Sequence, residues 1–559
     1  MENNSLLKPA MAVFFLGVSS LATAATPPDA GQTLQQLQSA PPPAAPAKPA
    51  PVLINGSTTA EPHQAETVEK IHVNHVVFRG NTAFSSEQLS RIAHVESADV
   101  SIQDLRAAAH RVSQFYRDQG FLVARAYLPA QDIVGGVVTI AVLEGKLDRI
   151  EVNNASDVSS ERVRRVVASQ MPGQAPVNTA GANRALLLLQ QTPGIGAVQG
   201  SLHPGAEVGT TAMTVDVKSA PLVSGNIAAD NYGSSFTGKN RLSGNLVVSN
   251  MLSRADQLTF QGIVTDRDAL DSGRIAWDFP VAYDGIRVGA AVSHTGYEVG
   301  KQFTALDTHG SARTTALYGN YPMVLTPTAQ VNGNVSVEWR DLVDTTGALS
   351  FSDRKAIMAT VLTLSGNFVD TALGQPASSD WKVAGTFGDL DLRTLSVAAL
   401  DAVSAHAEGH YQKLVIRLNR EQTLIGNLSF YAAGTAQRAD NNLDSSEQFF
   451  LGGPNGIRAY PVGEAPGDEG WQGTLEFRYR VARPVQLLVF HDLGMVEANH
   501  SPYINQANGR HLSGSGFGLN GNWSSYSVKT GLAWRGGSDA PTSDGDKRPR
   551  FWLQAGYSF

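Results

Sequence analysis

Phe551-Trp552-Leu553-Gln554-Ala555-Gly556-Tyr557-Ser558-Phe559 changes character at every second residue. Phe551, Leu553, Tyr557 and Phe559, with small Ala555, share one face of an extended chain, and Trp552, Gln554, Gly556 and Ser558 share the other. The same alternation runs back through the second half of the sequence. Leu258, Phe260 and Val264 alternate with Thr259 and Gln261, and Val335, Val337 and Trp339 with Ser336, Glu338 and Arg340. Leu414, Ile416 and Leu418 alternate with Lys413, Arg417 and Asn419, and Leu475, Phe477, Tyr479 and Val481 with Thr474, Glu476, Arg478 and Arg480. A water-soluble sandwich alternates too, with its apolar face inside and its charges toward water. The amino terminus favours the opposite arrangement. Lys8, the apolar run Met11 to Leu16 and the small residues ending Ala22-Thr23-Ala24-Ala25 read as a secretory signal over 1–24 with an A-x-A cleavage site. An exported chain of alternating strands predicts an all-β transmembrane barrel, apolar outside and polar within. Such a barrel must close on itself to satisfy its backbone, and bacterial single-chain barrels have even strand numbers; about 16 antiparallel strands fit between 220 and 559.

Bulk composition agrees with this reading. The chain has 559 residues, too many for one compact core, and is 17% charged with a net charge of -7, which gives nucleic acid no footprint. Hydrophobic residues reach 42% but are dispersed, so no segment beyond the signal is apolar enough for a membrane helix. The absence of cysteine removes disulfides, metal thiolates and thiol nucleophiles together.

Between the signal and the barrel the texture is different. Over 25–67, Asp29 to Gln38 can form a short helix around Leu34 and Leu37, and Ala40 to Pro51 is a Pro-rich linker of extended type. From 68 to 145 the order is β-α-α-β-β: a strand at His72 to Asn81, a helix at Ser85 to Val95, and a second helix capped by Ser101 and Asp104. Leu105, Ala109, Val112 and Tyr116 line the inner face of that second helix up to Gly120, and strands follow at Phe121 to Leu128 and Val137 to Leu143. Residues 146–219 repeat that order: a strand at Leu147 to Val152, helices at Ser159 to Gln170 and Thr179 to Gln191, and strands at Gly196 to Leu202 and Ala212 to Val217. The phrase Gly-x-Val-x-Ile-x-Val-x-Glu-Gly at Gly136 to Gly145 and the Thr192-Pro193-Gly194 break are specific enough that both modules resemble POTRA domains. A POTRA sheet leaves an edge free to pair with an extended client through main-chain hydrogen bonds; Phe121, Val123, Arg125 and Tyr127 mark that docking edge.

One connection in the barrel half is unusual. Phe450-Leu451-Gly452-Gly453-Pro454-Asn455-Gly456-Ile457-Arg458-Ala459-Tyr460 is too rich in Gly, Pro and Asn for strand or helix, yet carries one cation between apolar neighbours. Gly452, Gly453, Pro454 and Gly456 predict a loop of fixed shape that presents Arg458. In Leu487 to Leu493, Phe490 and Asp492 share one strand face and Leu487, Val489 and Leu493 the other, which puts a carboxylate in the lumen for Arg458 to meet.

POTRA modules, a large barrel and this loop together resemble the two-partner secretion branch of the Omp85 superfamily, the TpsB-type transporters that include the haemolysin activators. The resemblance covers roughly 68 to 559. It implies a loop over 438–471 folded back into the pore. Arg458, Tyr460, Phe490 and Asp492 form its latch or gate. Asp230 to Gly238 resembles the family's first barrel strand and loop, and Asp29 to Gln38 sits where family members carry a plug helix. Phe551, Tyr557 and Phe559 resemble the sorting signal of the last barrel strand. Ala459 departs from the Val-Arg-Gly-Tyr form common across the superfamily. The implied function is export of a large TpsA-type adhesin, haemolysin or contact-dependent toxin across the bacterial outer membrane, with the POTRA domains in the periplasm. The implied surroundings are outer-membrane lipid and lipopolysaccharide, the barrel-assembly machinery during biogenesis, and no second copy of the chain. A barrel-assembly insertase would use the same parts with more POTRA modules, and a passive porin would leave the modules unused.

Catalytic and metal readings fare poorly. His72 and His75 point to opposite strand faces, and His491 faces away from Asp492 with no nucleophile motif nearby. Gly452 to Gly456 lacks the Gly-Lys-[Ser/Thr] ending of a phosphate loop. No enzyme, metal or cofactor is expected.

Overall fold

A computed structural model describes residues 27–38, 52–55, 70–95, 98–173 and 175–559. The expected signal over 1–24 and the Pro-rich stretch Ala40 to Pro51 lie outside the described residues. Among those described, no helix is long and apolar enough to cross a membrane.

The second half of the chain is a closed barrel of sixteen antiparallel strands, each paired with its sequence neighbours. It begins at Val223–Asp230 and ends at Arg550–Ser558, which pair with each other from Asn226 opposite Ser558 to Asp230 opposite Gln554. The alternation read from sequence sets which side faces out. Trp339 is 40% exposed, Phe477 55% and Phe551 49%, whereas Arg340, Glu476 and Trp552 on the intervening positions are buried inside the barrel. Aromatic and aliphatic side chains so exposed over a whole cylinder have lipid as their solvent.

Ahead of the barrel lie two small αβ modules. The first holds two sheets. Lys70–Val73 pairs with Ala98–Ser101, and His75–Arg79, Val137–Leu143 and Arg125–Tyr127 form a three-stranded sheet in that order. Its main helix, Ile102–Asp118, starts where Ser101 and Asp104 cap each other and buries Leu105, Ala109, Val112 and Tyr116. Gly120, at φ +88°, takes the left-handed turn that ends it. Of the two closing strands, Val137–Leu143 falls where the sequence placed it and the one before it does not. Only Arg125–Tyr127 is extended, and Phe121 and Val123 fall in the turn before it. The Phe121 ring packs edge-on against Phe84 and Tyr116, with centroids 5.6 and 5.8 Å apart, so aromatic packing wins over strand propensity there.

Glu144 explains why the Glu-Gly phrase sits where it does. Its carboxylate, 4% exposed, accepts the Thr82 and Ala83 backbone N–H groups at 2.7 and 2.8 Å, the Tyr116 hydroxyl at 2.8 Å, and the Thr82 hydroxyl. Burial alone would raise its pKa, but these donors favour the anion and hold it below the ordinary carboxylate range. A lowered folded-state pKa means the stabilisation is fully present above the unfolded value of about 4.3 and is lost as pH falls through the folded value. The amide protection factors of residues 75–145, corrected for the intrinsic pH dependence of exchange, should therefore fall between neutral pH and pH 3 more in the wild type than in Glu144→Gln. The variant should already be weakened by about 1–3 kcal/mol at pH 7.

In the second module, Lys146–Ala155, Thr210–Ser219 and Ile195–Pro204 form a sheet beneath helices Ser160–Gln170 and Thr179–Gln191. A fourth strand, Val52–Asn55, joins its edge in parallel with Ile195–Pro204. The sequence reading had assigned no strand to this part of 25–67. This module is fastened to the barrel: Arg162 and Arg165 lie over the Tyr283 ring at 5.4 and 5.5 Å, Arg184 donates to the Pro322 carbonyl at 2.7 Å, and Leu325 enters the module's core.

Candidate functional site

The connection between Leu428–Ala439 and Glu469–Ala482 folds into the lumen rather than away from the barrel. Its tip is compact because its backbone bonds to itself: Ile457 N–H donates to Leu451 O at 2.7 Å, Gly456 to Gly453 O at 3.1 Å, and Gly453 to Tyr460 O at 3.2 Å. Gly453 sits at φ +115°, open to glycine at little cost. Gly452 and Gly456 are pressed against the Pro461 and Leu451 carbonyls, where a Cβ would collide. Pro454 occupies the turn between them.

This tip delivers Arg458 to the barrel wall. Its backbone N–H and Nε donate to Asp492 Oδ2 at 3.0 and 2.9 Å, Nη2 to Asp492 Oδ1 at 2.6 Å, and Nη1 to Glu476 Oε1 at 2.7 Å. Thr474 donates to Asp492 Oδ1 at 2.9 Å, so both carboxylate oxygens are engaged, and Asp492 is 0% exposed. The guanidinium carbon lies 3.4 Å over the Phe490 ring, close enough for cation–π attraction. A forked guanidinium matches this site, with two carboxylates in reach and an aromatic face below, better than an ammonium would. Tyr460 is fully buried, and its hydroxyl donates to Asp539 O at 3.0 Å.

The sequence reading missed three members of this cluster. Thr474 and Glu476 were seen only as lumen-side alternates, and Trp552 only as the polar-face neighbour of the last strand's aromatics. The Trp552 indole N–H donates to the Arg458 carbonyl at 2.7 Å. Trp552→Phe keeps the ring and removes that donor. We expect it to loosen the tip by about 1–2 kcal/mol, read as faster tryptic cleavage at Arg458 in the intact barrel.

The seat of the loop also had a signal in the sequence. Gly514, Gly516 and Gly518 repeat at period two on the strand Gly509–Trp523, leaving one lumen face without side chains. A Cβ on Gly514 would strike Ala459, one on Gly516 would meet Phe490, and one on Gly494 of the neighbouring strand would stand 2.9 Å from Leu451. Ala459, 2% exposed, is accommodated by Gly514 across from it.

Further ion pairs hold the rest of the loop. Glu447 meets Arg340 and, at 2.6 Å, Lys413; Asp444 meets Lys355 at 2.6 Å; Glu464 meets Arg510 at 2.7 Å and the Thr542 and Ser543 backbone N–H groups at 2.9 Å. Lys413 and Arg478 thus bind acidic partners, Arg478 joining Glu476 and Glu421.

The same loop seats the helix Ala30–Gln38 inside the barrel. Asp29 caps it through Gln32 N–H at 2.7 Å and accepts the Ser445 hydroxyl at 2.9 Å. The Ala30 N–H donates to Asp344 at 2.7 Å, and the Gln35 side chain to Gln448 O at 3.2 Å. Ala30 and Leu34 pack with Tyr297, Ala312 and Leu342, an apolar patch on an otherwise polar wall.

The other expected residues are placed elsewhere. Phe551, Tyr557 and Phe559 face outward on the last strand. Arg125 and Tyr127 lie on an edge strand of the first module, and Phe121 and Val123 do not. His491 faces outward, bonded to Ser515, away from Asp492. No cluster of metal-ligating side chains occurs among the described residues.

Comparison with known proteins follows this architecture. Residues 71–145 match the family model of the POTRA domain, ShlB-type, and residues 209–353 and 377–521 match that of the haemolysin secretion/activation proteins ShlB/FhaC/HecB. The heme/hemopexin transporter protein HuxB of Haemophilus influenzae is 26% identical over 522 residues, spanning 91% of this chain and 91% of its own length. The outer membrane transporter CdiB of Dickeya dadantii is 22% identical over 435 residues, 74% of this chain and 72% of that protein. Among solved structures, CdiB from Escherichia coli superposes with a TM-score of 0.69 at 18% identity over 90% of this chain and 93% of its own. CdiB from Acinetobacter baumannii does so at 0.65 and 15% identity over 92% and 95%.

Proposed function

The chain belongs to the haemolysin secretion/activation family of ShlB, FhaC and HecB, and we propose that its lumen loop is the element a partner protein must pass during export. It is an outer-membrane transporter of two-partner secretion, with its amino-terminal POTRA domain in the periplasm. The observation that carries the finer reading is the engagement of Arg458 by Asp492 and Glu476 inside a closed barrel, with the helix Ala30–Gln38 resting on the same loop. The helix plugs the bore, Arg458 and its acceptors latch the loop, and residues 146–219 act as a second POTRA module. A client arriving extended from the periplasm passes the loop and folds outside. No nucleotide-binding motif was found in the sequence, so external folding and the inability to slide back supply the drive.

The test is a strain lacking this chain and carrying the secreted partner. Restoring the wild-type chain should bring the partner to the cell surface. A strain that displays it equally well without the chain would reject the reading, and a loss of other barrel proteins from the outer membrane would favour the insertase.

A further inference from the structure

The connections that touch the second module, through Tyr283 and Leu325, mark the periplasmic end of the barrel, so the alternate connections open to the outside. Three of these, at 231–240, 299–307 and 536–549, come together around one carboxylate. Asp544, whose side chain is 9% exposed, faces Arg550 Nη1 at 3.3 Å, Lys239 Nζ at 3.4 Å and Lys301 Nζ at 3.6 Å. Each contact is longer than the 2.6 Å of Lys355 to Asp444 or Lys413 to Glu447 elsewhere in the barrel. One carboxylate shared by three cations satisfies none of them fully. Lys547 adds a fourth cation, set against the Lys239 ammonium, which holds it below the ordinary lysine range. Asp546 already meets Arg535 and Arg548 at 3.2 and 2.9 Å. The Arg550 side chain is 6% exposed, and its Nε has no hydrogen-bond partner. Lys301 holds a left-handed backbone at φ +62° and lies over the Phe236 ring at 5.8 Å, which fixes it toward Asp544.

We propose that Lys239, Lys301, Lys547 and Arg550 form a binding site for a phosphate monoester at the outer rim of the barrel. Four cations around a single carboxylate leave a surplus of positive charge, and a phosphate monoester carries about two negative charges with three strong acceptor oxygens. A guanidinium beside ammonium groups suits that ligand. The height of the cluster agrees. Phe551 and Leu242 face lipid at 49% and 52% exposure, one residue from Arg550 and three from Lys239, so the cations stand where hydrocarbon gives way to headgroups. A phosphorylated glycolipid reaches the site from the membrane and a free phosphate from solvent, with the same chemistry. Bound there, the phosphate ties together three loops that belong to separate strand pairs. The site holds whether or not this chain exports a partner.

The full chain, folded in detergent micelles, is titrated calorimetrically with inorganic phosphate in one arm and with lipid A, against its dephosphorylated form, in the other. The wild type should bind at least one of the phosphorylated probes, and Lys239→Gln with Lys547→Gln should weaken that binding about tenfold or more. Arg354→Gln with Arg393→Gln removes the same charge from exposed positions elsewhere on the outer rim and should change binding less than about twofold. Asp544→Asn removes the competing carboxylate and should tighten binding about threefold or more. A cluster that only braces the loops predicts the reverse. Preference for lipid A over its dephosphorylated form assigns the ligand to the membrane, and binding of inorganic phosphate without that preference assigns it to solvent. Binding of neither phosphorylated probe would overturn the proposal, as would equal losses in the two double variants or weaker binding by Asp544→Asn. Unheated gel mobility checks that each variant is folded. If the lysine pair fails to fold, the exposed Lys547→Gln alone should still weaken binding about threefold, and unchanged binding would count against the site.

Discussion

Arg458→Ala should yield a barrel that still assembles and keeps its heat-modifiable mobility, while export of the partner drops about tenfold or more. The substitution removes every side-chain bond from Arg458 to Asp492 and Glu476. Asp492 then keeps Thr474 and the residue 458 backbone N–H, but no countercharge. Breaking a poorly solvated pair by deleting one partner costs about 3–5 kcal/mol, because the remaining charge stays behind without compensation. That cost falls on the docking of the loop, since sixteen strands close the barrel independently of it. Arg458→Lys should be intermediate: the charge survives, but the fork that spans two carboxylates and stacks on Phe490 does not. Surface immunodetection of the partner, alongside the unheated gel mobility of the barrel, checks both variants. Normal export by a correctly assembled Arg458→Ala barrel would eliminate the moving-gate role and leave a latch that transport does not need.

Deleting residues 27–38 should raise single-channel conductance in planar bilayers at least about twofold, because a barrel of this size encloses an aqueous lumen once nothing fills it. The helix is held by a small set of contacts: the Ser445 hydroxyl on Asp29, the Ala30 N–H on Asp344, the Gln35 side chain on the Gln448 carbonyl, and an apolar patch of Tyr297, Ala312 and Leu342. Gly31 lies so close to Ser445 and Ser446 that a Cβ would collide with them, so helix and loop are fitted to each other. For that reason the deletion should also speed proteolysis of the loop. Gly31→Leu, which forces the helix off its seat without shortening the chain, should reproduce part of the conductance increase. Conductance equal to wild type after deletion would mean that the loop alone sets the bore.

Much of this was legible in sequence because a strand has a period of two. Phe477 and Tyr479 face lipid while Glu476 and Arg478 face the lumen in any barrel that closes, since turning the strand over would put charge into hydrocarbon. Phe490 and Asp492 were assigned to the lumen by the same count, and Ser101 with Asp104 marked a helix start because that cap is local. What alternation could not supply is which lumen residue meets which. Trp552 reaches the Arg458 carbonyl only because the last strand closes onto the first and curves under the loop, a juxtaposition of residues 94 positions apart. Glu447 finds Arg340 and Lys413 through the register of several strands, and nothing nearby in sequence names those partners. The first module went the same way: Phe121 looked like a strand residue until Phe84 and Tyr116 offered its ring a better place. The sequence alone determined that the chain is a lipid-facing cylinder carrying a shaped loop with one cation, because periodicity and turn chemistry are local properties. Only the tertiary structure decided what the cation binds, where the helix rests and which edge of the second module's sheet is already filled, because those contacts join segments distant in sequence.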